Sequence, residues 1–376
     1  MKKKIGILTW HYYPNFGSAL QAFALQKTIA DMGFDVRIVD YENPKYGKAT
    51  PLIRIKRHIL RLKYRMLPKR VGVGIVPASS GPLAFRTKYL RETPLVQNES
   101  GVSKLCKSFD IIVFGSDQIW APNVFNPIYM GTTIGADVSC VGTGTSTPRL
   151  VSYAASIGLD YIPDRLVLQY KNYLGRFSAI SVRERKGKEL LRQVCNISSE
   201  VVLDPTLLID STVYDGMAKP VERIKSGEYV FCYFLKTDHS YREKVVQFAQ
   251  RHGFMIVGVS AVAADREWMQ LFQNLGADEF LWLVENAVTV FTDSYHGTIF
   301  SLLFHKNFWV FPRFHSDDPI CQNSRIEQLN DYFGIVSHIV KEEEDIAAAP
   351  FDYSGFEERL HELRTASLSF LKKSLE

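Results

Sequence analysis

The sequence predicts an α/β protein made of two Rossmann-like units followed by a C-terminal helix. Three observations lead there. The chain has 376 residues, enough for two domains at roughly 150 residues each. Short apolar runs alternate with amphipathic stretches of helical spacing, the pattern of strands and helices around a parallel sheet. That alternation appears once in the first half of the chain and again in the second.

The first unit, residues 1–205, opens with Lys4 to Thr9, a short run of buried-strand character. The loop from Tyr13 to Leu20 then leads into a helix from Ser18 to Met32, which Gly33 stops. Phe34 to Asp40 is the next strand, completing a right-handed βαβ unit. Gly and Pro punctuate 71–104, which reads as an irregular crossing. Further strands follow at Asp110 to Phe114, Leu150 to Ala155, Ser178 to Val182 and Glu200 to Leu203, with a helix from Arg185 to Val194. The second unit, residues 206–350, has strands at Tyr229 to Leu235, Phe254 to Val259, Ala287 to Thr292 and Asn307 to Phe311, and a helix from Gly297 to Phe304. Residues 351–376 hold the last helix, with Phe356, Leu360, Leu363, Leu368 and Leu371 on its apolar face. Two such units usually face a cleft, and ligands of open α/β sheets bind beyond the carboxyl ends of the strands.

Composition excludes several classes. With 46% hydrophobic and 23% charged residues, the chain is neither disordered nor fibrous. No apolar run approaches the roughly 20 residues of a membrane span, and the N-terminal run is shorter than a signal-peptide core of about 7 residues or more. A cytoplasmic protein is expected. The five cysteines are scattered without metal or redox spacing. No two histidines sit at i, i+4 beside an acidic cluster, so no metal site is expected.

The net charge of +5 is uneven, because residues 43 to 91 hold thirteen Lys or Arg and no acid, leaving 5 − 13 = −8 elsewhere. Within that segment, 53–67 interleaves apolar residues and cations as a basic amphipathic helix, ended by Pro68. Such a helix suits an anionic membrane surface; the alternative is a solvated helix packed on its own domain. Nucleic acid is not an expected partner, since the remaining surface is acidic and no nucleic-acid motif is present.

The candidate site residues lie at strand-to-helix turns. Asn15, Gly17 and Ser18 precede the first helix, where free backbone N–H groups can hold an anion, or where Asn15 or Ser18 simply caps the helix. Ser116, Asp117 and Gln118 follow the strand ending at Phe114; Asp117 could act as a base or as a turn residue. Arg183 could bind a carboxylate or phosphate, or pair structurally with Glu184 or Asp204. His296, in Thr292-Asp-Ser-Tyr-His-Gly297, has the most site-like surroundings of the nine histidines. His305 reads as a packing or surface residue. Arg313, His315 and Arg325 lie in a polar stretch after the last strong strand and could bring positive charge to the cleft. The glycine pairs Gly72/Gly74 and Gly142/Gly144 lack a full phosphate-loop fingerprint.

Taken together, Asn15-Phe-Gly-Ser18 with Leu20-Gln21, Gly115-Ser-Asp-Gln-Ile-Trp120, Ser152-Tyr-Ala-Ala-Ser-Ile-Gly158, Ser181-Val-Arg-Glu184, Leu203-Asp-Pro-Thr206, Thr292-Asp-Ser-Tyr-His-Gly297 and Asn323-Ser-Arg-Ile326 resemble the polysaccharide pyruvyl transferase family. The resemblance implies a fold like the two-domain GT-B glycosyltransferases, with the acceptor on the first unit and the donor on the second. It implies transfer of the carboxyvinyl unit of phosphoenolpyruvate to a sugar of a surface polysaccharide precursor, forming a pyruvate ketal. Phosphoenolpyruvate is then a co-substrate, no cofactor is required, and the acceptor is a sugar or lipid-linked oligosaccharide at the inner face of the cytoplasmic membrane.

Carried over residue by residue, the family pattern implies donor binding by Arg183 and catalysis by His296, with Ser294 and Tyr295 beside the donor. Many members carry Arg two residues before that histidine. This chain has Ser294 there, and Arg313 or Arg325 is expected to substitute. Asp117 is the expected general base on the acceptor side, with Asn15, Gly17, Ser18, Ser116 and Gln118 around the acceptor or an anion. Two alternatives stand beside this: a GT-B glycosyltransferase using a nucleotide sugar, and a non-catalytic glycan-binding relative.

Overall fold

A computed structural model describes residues 2–12, 15–42, 81–134, 147–222, 224–236, 239–260, 263–314, 318, 321–341, 346 and 349–376. The basic stretch 53–67, both glycine pairs and His315 lie outside the described residues. The described residues form two compact units, one from those within 2–42, 83–208 and 362–376, the other from 81–82 and those within 209–361. The expected α/β class, with parallel sheets and a C-terminal helix, is present.

In the first unit, strands β1 (Lys4–Leu8), β2 (Asp35–Ile38), β3 (Ile111–Phe114) and β4 (Arg149–Ser152) form a sheet in the order β2-β1-β3-β4. All pairings are parallel, with Leu8 opposite Phe114 and Phe114 opposite Ser152. Every residue of β3 is buried, as expected of a central strand covered on both faces. A short pair, β5 (Ser181–Val182) and β6 (Glu200–Val201), continues from β4 through bridges at Val151–Ala179 and Ala155–Val182. Because the strands are parallel, Thr9, Ser116, Ser156 and Arg183 all leave the strands at their carboxyl ends, the edge where ligands of such sheets bind.

The described part of the 71–104 stretch, 81–104, is more regular than expected. Helices α2 (Gly81–Tyr89) and α3 (Glu99–Cys106) occupy it, after α1 (Phe16–Asp31). Proline is tolerated in a first helical turn, so Pro82 opens a helix rather than breaking one. Asn98 caps α3 by accepting the Gly101 N–H at 2.7 Å.

In the second unit, β7 (Tyr229–Phe234), β8 (Met255–Ser260), β9 (Gln270–Leu271), β10 (Thr289–Thr292) and β11 (Asn307–Val310) make a parallel sheet in the order β11-β10-β7-β8-β9. All six residues of β7 are buried, and Phe234, Phe291, Trp309 and Phe311 belong to the unit's aromatic core. A second difference from expectation is the helix Ser324–Phe333, whose first residues, 324–326, the sequence reads as the end of a polar loop.

The last helix, Phe356–Leu375, is not a separate third piece. Its residues 362–376 belong to the first unit, where Leu203 N donates to Ser367 Oγ (3.0 Å) and Arg364 Nε to the Leu207 carbonyl (2.8 Å). Leu371 and Leu375 are fully buried there. No helix among the described residues is long and apolar enough to cross a membrane.

Candidate functional site

The first unit gathers a buried polar cluster at the carboxyl edge of its sheet. It starts at Gly115, which has φ +122° and whose added Cβ would lie 2.0 Å from the Tyr153 carbonyl oxygen. Only glycine lets β3 pass β4 so closely. Ser116 is then clamped: its N–H donates to Gln21 Oε1 (3.2 Å), its hydroxyl to the Ala154 carbonyl (2.9 Å), and its carbonyl accepts from Thr9 Oγ1 (3.1 Å). Asp117 follows in the left-handed region, φ +65°, a conformation uncommon outside glycine and held by its surroundings.

Asp117 is 6% exposed. Its Oδ2 accepts the Ser18 hydroxyl at 2.6 Å, its Oδ1 accepts the Gln118 N–H at 2.9 Å, and its carbonyl accepts the Ser156 N–H at 2.8 Å. Arg183 Nη2 stands 3.9 Å from Asp117 Oδ1, while Nη1 makes a 2.7 Å ion pair with Asp204 Oδ2. Asp204 Oδ1 is in turn held by the Thr206 N–H (3.0 Å) and hydroxyl (2.6 Å). Ser18, Ser116, Asp117 and Arg183 are therefore brought together. Asn15 caps α1, its Oδ1 accepting the Ser18 N–H at 3.2 Å, and Gly17 is buried in the first turn of that helix. Such a cluster can orient a hydroxyl and accept its proton.

A second group in the same unit was not legible in the sequence. His11, Asp40 and Glu92 bring their ligand atoms within 4.8 Å of one another. Arg86 Nη2 lies 3.0 Å from Asp40 Oδ1 and 2.7 Å from Glu92 Oε1, so both carboxylates already face a guanidinium.

In the second unit, Tyr295, Arg313 and Arg325 line one cavity of about 160 Å³, together with Asp293, Gln322 and Asn323. Val310, Phe311, Pro312 and Ile326 supply apolar wall. Asp293 is locked in place, accepting the Leu235 and Lys236 N–H groups at 2.8 and 2.7 Å. Burial pushes its carboxyl up, while Arg313 and those two N–H groups pull it down. Arg313 Nη2 donates to the Asp293 carbonyl (2.7 Å) and its Nε lies 3.4 Å from Asp293 Oδ2. Arg325, 8% exposed, donates to Gln322 Oε1 (2.8 Å) and places its guanidinium 5.8 Å from the Tyr295 ring centroid.

Two helix N-termini flank this region and differ. The helix Tyr295–Leu303 is closed by Ser294, whose hydroxyl accepts the Gly297 N–H at 3.4 Å. The helix Ser324–Phe333 has no side-chain cap at Asn323, and its first turn borders the cavity through Asn323, Arg325, Ile326 and Glu327. Backbone N–H groups and the positive end of the helix dipole there favour an anion. Ser294 and His296 are not among the lining residues; the His296 ring stands edge-on to Tyr295 at 5.3 Å and is 7% exposed. His305 is on the surface, 2.7 Å from Glu357 and stacked on Tyr353. Asp293 and Gln322 were missed in the sequence; the one available signal for Asp293 was its place at the end of a strand.

A comparison with curated proteins finds no match. Among solved structures, the chain is similar to the UDP-GlcNAc 2-epimerase of Neisseria meningitidis, bound to UDP-GlcNAc, at TM-score 0.52 and 9% identity, covering 100% of this chain and 99% of that one. It is also similar to the UDP-N-acetylglucosamine 2-epimerase of Rickettsia bellii at TM-score 0.50 and 9% identity, covering 99% and 96%. Identities this low speak for the fold alone, which is the GT-B type expected. The family model for polysaccharide pyruvyl transferase matches residues 15–315. Because that match spans most of its length, the chain belongs to the polysaccharide pyruvyl transferase family of transferases.

Proposed function

We propose that this transferase moves the carboxyvinyl unit of phosphoenolpyruvate to a sugar hydroxyl of a surface polysaccharide precursor and closes a pyruvate ketal. The observation that carries the reading is the cavity of the second unit, small at about 160 Å³, with two arginines, an uncapped helix N-terminus and apolar wall. A compact dianion with an apolar carbon fits that chemistry. A nucleotide sugar fits it less well, since drug-sized ligands occupy roughly 300 Å³ or more.

In this scheme Arg313 and Arg325 hold the phosphate and carboxylate, taking the place of the cation that Ser294 lacks. His296, next in sequence to the cavity-lining Tyr295, supplies the proton to the methylene carbon as C2 becomes oxocarbenium-like. The first sugar hydroxyl adds to C2 and gives its proton to Asp117. The C2–O bond to phosphate then breaks, the second hydroxyl closes the ketal, and its proton leaves with the phosphate. Arg183, paired with Asp204, keeps Asp117 oriented. The acceptor is a sugar or lipid-linked oligosaccharide, and the basic stretch 53–67 would bring the protein to an anionic membrane surface from the cytoplasmic side.

Calorimetry tests the donor assignment. Phosphoenolpyruvate should bind the wild-type chain and lose at least about tenfold in affinity in Arg325→Met, the loss of a charged hydrogen bond. Unchanged affinity in both Arg313→Met and Arg325→Met overturns it, and tight binding of a nucleotide sugar instead favours the glycosyltransferase.

A further inference from the structure

The residue after Arg183 has no part in the scheme above, yet it is fully engaged. Glu184 is 1% exposed. It sits at the N-cap of the helix Arg185–Cys195 but makes no capping bond with its side chain. Its Oε1 instead accepts the Ile157 N–H (2.8 Å), the Gly158 N–H (3.0 Å) and the Ser156 hydroxyl (3.2 Å). Its Oε2 is buried without a hydrogen-bond partner among the described residues. A carboxylate that gives up capping and buries one bare oxygen is holding the 156–158 loop at a cost.

That loop leads directly to Asp117. The Ser156 N–H donates to the Asp117 carbonyl (2.8 Å), and the Trp120 N–H donates back to the Ser156 carbonyl (3.3 Å). Gly158 presses on Gln118 so closely that a Cβ would lie 2.2 Å from Gln118 Nε2. Asp117, at φ +65°, lacks an intrinsic preference for its conformation and takes it from these contacts.

We infer that Glu184 is a positioning residue: through the 156–158 loop it sets the backbone of Asp117 and Gln118, and with it the direction of the Asp117 carboxylate. The consequence for turnover rests on the acceptor-side role proposed for Asp117; the consequence for geometry does not. Three variants separate charge from shape. Glu184→Gln keeps an oxygen for the three donors, Glu184→Asp keeps the charge but withdraws it by one methylene, and Glu184→Ala removes both.

The first readout is amide hydrogen exchange. In Glu184→Asp and Glu184→Ala the amides of Ser156, Gln118 and Trp120 should exchange at least about tenfold faster, with β7 amides unchanged and Glu184→Gln close to wild type. Equal protection at those amides in every variant that folds overturns the inference, whether or not any acceptor is turned over. The second readout is kinetic: Glu184→Asp should lower kcat by about 10- to 100-fold with KM for phosphoenolpyruvate unchanged. The same change should have little further effect in an Asp117→Asn background; fully multiplicative losses overturn the link to Asp117. A wild-type chain with no transfer activity refutes the transferase reading alone, and the exchange result still decides the role of Glu184.

Discussion

Arg183→Met removes one partner of a fully buried ion pair in the first unit. The Arg183 and Asp204 side chains are 1% and 0% exposed and meet at 2.7 Å. Methionine fills much of the arginine stem's volume, so the main loss is the counter-charge. Breaking a buried pair by deleting one member costs about 3–5 kcal/mol, because the other charge stays buried. For a unit of this size each kcal/mol moves the midpoint by about 2–4 °C, so the thermal midpoint should fall by roughly 10 °C. Adding Asp204→Asn removes the stranded charge and should recover more than half of the loss, since Thr206 can still bond an amide oxygen. Urea unfolding of the three proteins measures this directly. A loss under about 1 kcal/mol in the single variant, with no recovery in the double, would refute the reasoning and free Arg183 for direct contact with a substrate anion.

Other outcomes follow from the same geometry. His296→Ala should lower kcat about 10²- to 10⁴-fold in steady-state transfer assays while thermal stability changes little, the range of lost acid catalysis. Gly158→Ala should reduce transfer and destabilise the first unit together, because a side chain is strained at φ +70° and the new methyl also displaces the Gln118 amide. Stability should also respond to pH through Glu285, whose carboxyl is raised from 4.5 to about 7 by burial, by a hydrogen bond with Asp215 and by the charge of Asp215, against the pull of Lys306. A raised acid favours the protonated fold, so this contribution is present below pH 4.5 and fades as pH rises toward about 7. Its size is about 1 kcal/mol once solvent screening is allowed for. Denaturation curves at pH 4.5 and 7.5 should show a smaller difference in Glu285→Gln than in wild type.

The strands were the most readable elements. Ile111–Phe114 and Tyr229–Phe234 are short unbroken apolar runs, and such runs have few other uses in a protein of this size. The helices at 81–89 and 99–106 were hidden by their own start signals, since Gly81-Pro82 and Asn98 read as loop punctuation until the following turn is in place. The helix Ser324–Phe333 is hidden because Asn323 to Ile326, all but one polar, read as a continuation of the preceding polar loop. Strand-end positions place Asp117 and Arg183 near site edges. The sequence offers Glu184 and Asp204 as pairing partners for Arg183, and the structure pairs it with Asp204 across 21 residues; the approach of Arg325 to Tyr295 is not visible before the chain folds. Glu184 reads in the sequence only as a possible partner of Arg183, and its hydrogen-bond partners lie 26 to 28 residues earlier.

The most direct test incubates the purified chain with phosphoenolpyruvate and a panel of lipid-linked and p-nitrophenyl galactosides and mannosides, following phosphate release and acceptor mass together. A mass gain equal to one pyruvate ketal, matched by one phosphate released and lost in His296→Ala, is the expected result. Phosphate release without any acceptor gaining mass, or no reaction with any acceptor while a nucleotide sugar is consumed, contradicts the assignment of a pyruvyl transfer from phosphoenolpyruvate.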